Sequence, residues 1–490
     1  MAVSNLQRED ITIACQSFTT QLKTIFQSKQ IANDDALIGG FLTFVHSKVE
    51  RWLLQFLEGQ LECSKLLAEE NSKRKQISDH QQDQRVDQLD ENFSNLLDFI
   101  WREIHYPIFK WFQMWRQHLS PQDKTQQRNY VEFRKMNSKL TKVFKFIHKF
   151  YYCMLETLFK KFDMSMVMPE AYVRDLNINV NSGDEAETSR VILSNESPFT
   201  VQVIVLIHRS LLYLGTCHRY KTISEKVSNK YNINDFKKSL RYYKYASLIL
   251  PSVGETNLQQ GMIYIQTGNF GFATYEFLRS ALSRMPSAAG VRNLTNLLCD
   301  KNSTGFQKIS QCLNDLEAQE QDRNKVINRE VMEFYFLALF GYYFAPKTWK
   351  NEKISQPVLF NGMNVDHVRK YLFQKMATRY NKNMNIIFID LLILIGGFDL
   401  LLVDSQRKQK ISSLVELEPQ QVQYLTFTFS FITNILDRVI IHEWKNFTCF
   451  EYLAFVRVVE CWLKSKRIAL QFAHRNQDFC RAMSRLINEI

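Results

Sequence analysis

Arg219 and Tyr220 stand side by side near the end of the apolar stretch VQVIVLIHRSLLYLGTCHRYKT, residues 201–222. A guanidinium offers a planar fork of N–H donors and a phenol adds another, a set suited to holding phosphate or carboxylate. At helical spacing His208, Leu212, Gly215 and Arg219 share one stripe, and Arg209, Tyr213, Thr216 and Tyr220 share the next. The alternative is an arginine that pairs with an acidic neighbour inside the fold. A further cation lies in LLDFIWREIHYPIFKWFQMWRQHL, residues 96–119, where Leu97, Ile100, Ile104, Ile108, Phe112, Trp115 and Leu119 make one buried face. Lys110 lies off that face with Glu103, Tyr106, Gln113 and Gln117, so its charge faces a groove or solvent. Residues 124–161 then carry ten Lys and Arg against Glu132 and Glu156. Lys135, Lys139, Lys142, Lys145 and Lys149 follow helical steps beside an apolar face of Met136, Leu140, Val143, Phe144, Ile147 and Tyr151. Such a face is either solvated or an unpaired positive field for phosphates or an acidic peptide. Arg438, Lys445, Arg457, Lys464, Lys466 and Arg467 make the last region basic, and Arg438 and Lys445 are candidates for an acidic partner.

Catalytic patterns are missing. There is no G-x-x-x-x-G-K-[ST] or G-x-G-x-x-G to cradle a nucleotide, and no G-x-S-x-G turn. His442-Glu443 lacks the second histidine of a zinc-protease helix, and the ten His and nine Cys show no zinc spacing. The expectation is a non-enzyme with no catalytic residues, no metal and no cofactor. No cysteine pair has C-x-x-C spacing, which fits reduced, packed thiols in a nucleus or cytosol.

The elements that position these groups read as helices. Gly (15) and Pro (9) are scarce and aromatics reach 13 %, which disfavours turn-rich sheets and suits broad helix–helix contacts. A net charge of +12 and a pI near 9.1 point to polyanions or acidic partners. Pro251 and Pro286 each close a helical run and lie 35 positions apart, close to the tetratricopeptide period of about 34. Between them Ser239, Tyr243 and Ala246 fit the end of one repeat, and Gly261, Tyr264, Gly268, Phe270, Ala273 and Phe277 the start and middle of the next. Small residues there let antiparallel helices approach, and aromatics fill the gap.

Along the chain, residues 8–67 predict two or three helices, 68–93 a polar insert, and 329–490 a further set of helices without a repeat period. Pro107 is expected to kink its helix. No secretory signal is evident at the start. The most apolar run, residues 385–403, carries Asp390 and Asp399 and is broken by Gly396-Gly397, so it predicts a buried helix ending at the glycines rather than a membrane span. The domains expected are 1–298, a linker over 299–328, and 329–490.

LGTCHRYKT followed by SLRYYKYASLILPSVGETNLQQGMIYIQTGNF resembles the Ever Shorter Telomeres family and the related nonsense-mediated-decay adaptors. WREIHYPIFKWFQMWRQ and FIHKFYYCMLETLFKKFDM are similar to its budding-yeast telomerase branch. The resemblance covers roughly residues 90–300. It implies an all-α fold, a 14-3-3-like tetratricopeptide array packed against a second α-helical domain. It also implies a non-catalytic telomerase subunit of the nucleus and telomere. The implied partners are telomerase RNA, a recruitment segment of the single-strand telomeric end-binding protein, other telomerase subunits and single-stranded telomeric DNA. The alternative within the family is a decay or translation adaptor that reads a phosphorylated or acidic peptide. The 14-3-3-like pocket carries over as Lys110, Arg219 and Tyr220. A second arginine is expected one to two turns after the lysine, where this chain has Gln117, with Arg116 one residue off. Lys135, Lys139, Lys142 and Lys149 are the candidates for nucleic acid.

Overall fold

The computed structural model describes residues 2–27, 35–73, 96–119, 129–165, 167–178, 190–193, 198–226, 228, 230–316, 329–351, 357–379, 384–406, 411, 413–437 and 450–489. Two compact units divide at Pro251/Ser252.

The first unit contains α1 (Ala2–Gln27), α2 (Asp35–Lys73), α3 (Leu96–Phe99), a π-helical turn (Ile100–His105), α4 (Tyr106–Leu119), α5 (Tyr130–Lys161), α6 (Glu170–Asp175), α7 (Pro198–Glu225) and α8 (Lys237–Ile249). Residues 68–73 of the expected insert continue α2, and the rest of it lies outside the described residues. Pro107 acts one turn earlier than a simple kink. Having no N–H, it cannot complete the ladder, and the chain widens into the π turn just before it, with the Tyr106 N–H reaching back to the Trp101 carbonyl. The one sheet among the described residues is a parallel pair of two-residue strands, β1 (Phe162–Asp163) and β2 (Val191–Ile192), with Phe162 opposite Val191. The core is where the apolar periodicity put it. Leu97, Ile100, Ile104, Ile108 and Phe112 are buried, as are Met136, Leu140, Val143 and Ile147 of α5.

The second unit contains α9 (Gly254–Thr267), α10 (Phe270–Leu282), α11 (Ala288–Cys299), α12 (Thr304–Asn314), α13 (Arg329–Phe344), α14 (Pro346–Trp349), α15 (Val365–Arg379), α16 (Met384–Gln406), α17 (Pro419–Ile435), α18 (Phe450–Ser465), α19 (Arg467–Arg475) and α20 (Gln477–Glu489). One continuous core runs from Leu258 to Leu486. The division therefore falls between α8 and α9 rather than at 299–328, because α9 to α12 bury their apolar faces with α13 and α16. The expected linker is itself partly helix. Ser303 caps α12, its Oγ accepting the Phe306 N–H at 3.1 Å, and Phe306, Ile309 and Leu313 are buried. Residues 317–328 lie outside the described residues.

Within each unit one helical hairpin carries the small–aromatic pairing expected of the repeat. A Cβ on Gly215 of α7 would lie 2.6 Å from the Tyr243 ring of α8, and a Cβ on Gly261 of α9 would lie 2.5 Å from the Phe277 ring of α10. The aromatics thus fill the hairpins themselves. Helix α16 runs through Gly396-Gly397 instead of stopping there. A Cβ at Gly397 would come within 2.3 Å of the Tyr424 hydroxyl and 2.7 Å of Phe340, so the glycine admits α17 and α13, and Tyr424 donates to the Leu394 carbonyl at 2.9 Å. Among the described residues two helices, Phe199–Glu225 and Asn385–Val403, are long and apolar enough to cross a membrane, and most of each apolar window is buried inside the fold.

Candidate functional site

Helices α4, α5, α7 and α8 of the first unit place the candidate residues. Tyr220 sits where α7 meets α4: its ring stacks on Phe109 with centroids 5.6 Å apart and lies 5.7 Å from the ring of Tyr106. Lys110 follows Phe109 directly, is exposed, and has no ion pair among the described residues. Arg219 is only 4 % exposed. Its guanidinium lies 4.6 Å from the centre of the Tyr220 ring. Burial works against its charge, but the phenols of Tyr220 and Tyr243 more than compensate and raise its pKa above the ordinary arginine value. Phenols of α7 and α8 are thus among the groups set against the guanidinium, and Tyr243 is also bonded to the Thr216 hydroxyl at 3.0 Å. The packing of α4 on α7 puts Lys110 and Tyr220 on adjoining helices, and Arg219, next to Tyr220, is buried.

Arg116 has a structural role. It is buried, and its Nε and Nη2 donate to the Lys226 carbonyl at 3.1 and 2.6 Å, just beyond the end of α7. A cation at a helix C-terminus satisfies a carbonyl left over by the ladder and opposes the helix dipole. This secures α4 to α7 and explains why an arginine stands at this position.

Helix α5 begins at Asn129, whose side chain accepts the Glu132 N–H at 3.1 Å. Lys135 is 61 % exposed and paired with Glu132 at 2.7 Å. Lys139 is half-buried, and Lys142, Lys145 and Lys149 are exposed. Across the same helix Asn137 donates to the Glu225 carbonyl at 3.3 Å and Thr141 to its carboxylate at 3.3 Å, so α5 is fastened to the end of α7. Arg438 and Lys445 lie outside the described residues.

Three polar clusters were not anticipated. Buried His46 and His105 meet Nε2 to Nε2 at 2.9 Å, and His105 Nδ1 meets the Tyr151 hydroxyl at 2.9 Å. Arg209 pairs with Asp98 at 3.0 Å, and Tyr213 donates to the same carboxylate. Arg241 pairs with Asp175 at 2.7 Å, and Tyr245 donates to it. Their partners are 46 to 115 positions apart, beyond any local pattern. The one usable signal was the unusual density of His and Tyr between 105 and 245.

Charged and aromatic groups in this arrangement suit recognition of anions and planar groups. A family model described as the Est1 DNA/RNA binding domain matches residues 239–490, and one described as telomerase activating protein Est1 matches residues 95–225. Protein EBS1 of Eremothecium gossypii is 39 % identical over the whole chain, which covers 57 % of that protein. The nonsense-mediated mRNA decay factor EBS1 of Saccharomyces cerevisiae is 38 % identical over the whole chain, covering 54 % of that protein. The telomere elongation protein EST1 of S. cerevisiae is 31 % identical over 81 % of the chain and 56 % of its own length. A crystal structure of Est1 and Cdc13 superposes with a TM-score of 0.76 at 37 % identity, covering 98 % of this chain and 81 % of the solved one. The chain spans about half the length of the curated relatives it matches. With a largely helical structure and family matches over most of its length, the chain belongs to the Est1 family.

Proposed function

We propose that this chain acts as a non-catalytic adaptor in telomerase recruitment, working in the nucleus at telomeres with other telomerase subunits. In this reading telomerase RNA, and single-stranded telomeric DNA, lie along the lysines of α5 (Lys135, Lys139, Lys142 and Lys149). An acidic or phosphorylated segment of the telomeric single-strand end-binding protein meets Lys110 and Tyr220 first, with only an edge of Arg219 in reach; Arg438 and Lys445 are separate candidates for an acidic partner on charge alone. The observation that carries the reading is the likeness, through 98 % of the chain, to Est1 solved together with Cdc13.

A second reading, an adaptor in nonsense-mediated decay, has its own support in the decay factor that matches the whole chain. Identity alone does not separate the two, since 39 and 38 % to EBS1 and 31 % to the curated EST1 stand beside 37 % to the solved Est1. Affinity purification of the tagged protein from its own cells does. Enrichment of telomerase RNA, with telomeres that shorten when the gene is removed, is expected. Absence of that enrichment, with accumulation of transcripts bearing premature stop codons on gene removal, would replace the first reading by the second.

A further inference from the structure

Four planar side chains from three helices form a continuous row on the first unit. Tyr152 stacks on His148 along α5, with centroids 5.8 Å apart and planes 16° apart. His148 meets His218 of α7 edge to face at 5.3 Å. His218 stacks on Tyr242 of α8 at 5.5 Å and 15°. Phe144 supports the middle, 5.4 Å from His148 and 5.0 Å from His218. None of the four is fully buried or fully exposed.

Packing alone does not account for this row. Phenylalanine would fill the same volume without placing polar atoms at depth. Neither imidazole has a hydrogen-bond partner among the described residues. Burial, with the charge of Lys238 adding to it, depresses both histidines, and His148 adds to the effect on His218, which falls to about 3, so they are neutral rings near pH 7. Tyr152 is held by its hydroxyl, which donates to the carbonyls of Leu176 and Asn177, so its ring has a fixed position. Exposed lysines stand around the row: Lys145 and Lys149 flank His148 on α5, and Lys238 begins α8.

Neutral planar faces with partnerless polar edges, ringed by flexible ammonium groups, match a single-stranded nucleic acid: its bases stack and its phosphates follow the lysines. The geometry points to the row Tyr152–His148–His218–Tyr242 as a base-stacking platform for single-stranded RNA or DNA. This rests on the nucleic-acid part of the proposed function. It adds that the bases as well as the backbone are engaged, and that α7 and α8 contribute with α5.

Binding of the whole protein to oligoadenylate, and to an abasic oligonucleotide of equal length, tests it by fluorescence anisotropy. The wild type should bind oligoadenylate at least about fivefold more tightly than the abasic strand, the lower end expected for one stacked base. The double variant His148→Leu/His218→Leu keeps apolar volume and removes two of the rings. It should lose that preference while its abasic affinity stays the same. Photocrosslinking of the wild type with a 4-thiouridine oligonucleotide, mapped by mass spectrometry, is expected at one or more of the four rings and does not depend on how the variant folds. Equal binding of the two strands by wild type, an undiminished preference in the variant, or crosslinks confined to other residues would overturn the platform and leave backbone binding standing. Failure of the wild type to bind any oligonucleotide would overturn the nucleic-acid reading as well, and capture of an acidic peptide at the row in its place would assign it to protein.

Discussion

Both ring nitrogens of His105 are in use, one toward His46 and one toward Tyr151, each at 2.9 Å. Two imidazole nitrogens facing each other need one proton between them, so at most one of the two rings can carry a charge. Burial disfavours even that one, pushing His46 down to about 3 and holding His105 well below the ordinary imidazole value, with the charge of His46 a second cause. Replacing His46 by leucine strands one nitrogen of His105 in the core and should cost about 1–3 kcal/mol in denaturant unfolding. The double variant with His105→Phe should lose less than the sum of the two single losses, because both ends of the hydrogen bond go together. Strict additivity would show that the two rings are not coupled. Lys110 and Arg219 call for different expectations for the same reason of depth. Lys110→Glu should weaken an acidic or phosphorylated peptide with helicity and melting temperature unchanged, measured by titration calorimetry and circular dichroism. Arg219→Glu sets a carboxylate against two phenols where only 4 % of the residue reaches solvent, so it should lower the melting temperature too. Full peptide binding by Lys110→Glu would remove the pocket's support.

At the scale of elements, the α5 lysines should act as a field and the hairpin glycines as spacers. Lys135 is partly neutralised by Glu132. Lys149 has no ion pair among the described residues, so removing its charge should matter more, flattening the dependence of log affinity on log salt for a single strand by about 0.7, the share of one phosphate no longer neutralised. An unchanged slope would make α5 a solvated face. Gly261→Ala drives a methyl into Phe277 and should destabilise the second unit by about 1–3 kcal/mol, with Phe277→Leu recovering part of it. These hairpins were legible because their partners are close in sequence and follow a repeat, and the apolar stripes of α4 and α5 because helical periodicity is local. What escaped was non-local. Gly396-Gly397 read as a helix end since glycine weakens a helix by about 1 kcal/mol. Tyr424 and Phe340 pack there so closely that nothing but glycine fits, and tertiary packing overrides propensity. Helix α12 hid inside a polar stretch because Phe306, Ile309 and Leu313 are too few to stand out from their neighbours. The candidate anion site was half legible. The sequence put a guanidinium and a phenol side by side, but the depth of Arg219 and the engagement of Arg116 with Lys226 depend on helices 110 positions apart.

At the scale of the whole chain, the two units carry opposite responses to acid. The depressed histidines His46, His105, His148, His208 and His218 all belong to the first unit, and burial is the leading cause in each. Below the unfolded value of about 6.5 the unfolded chain takes up protons there that the folded chain refuses. The first unit's stability is thus fully present above about pH 6.5 and falls as pH drops toward the folded values, which are about 4 for His208 and about 3 for His46 and His218. Glu276 of α10, in the second unit, goes the other way. Burial raises it to about 7, against the opposing pull of Arg279 at 3.4 Å. Between the unfolded carboxyl value and about 7 the folded state holds a proton that the unfolded state lacks, so this residue favours folding at low pH and loses that contribution as pH rises through 7. Each such group shifts stability by about 1.4 kcal/mol per pH unit at most. Hydrogen exchange at pH 7 and pH 5, corrected for intrinsic rates, should therefore show protection falling in α2, the π turn, α5 and α7 while it holds or rises in α10. Glu276→Gln should abolish the rise in α10 and leave the fall in the first unit untouched. A uniform loss of protection across both units, unaltered by that substitution, would mean that general charge repulsion governs the acid response rather than these buried groups.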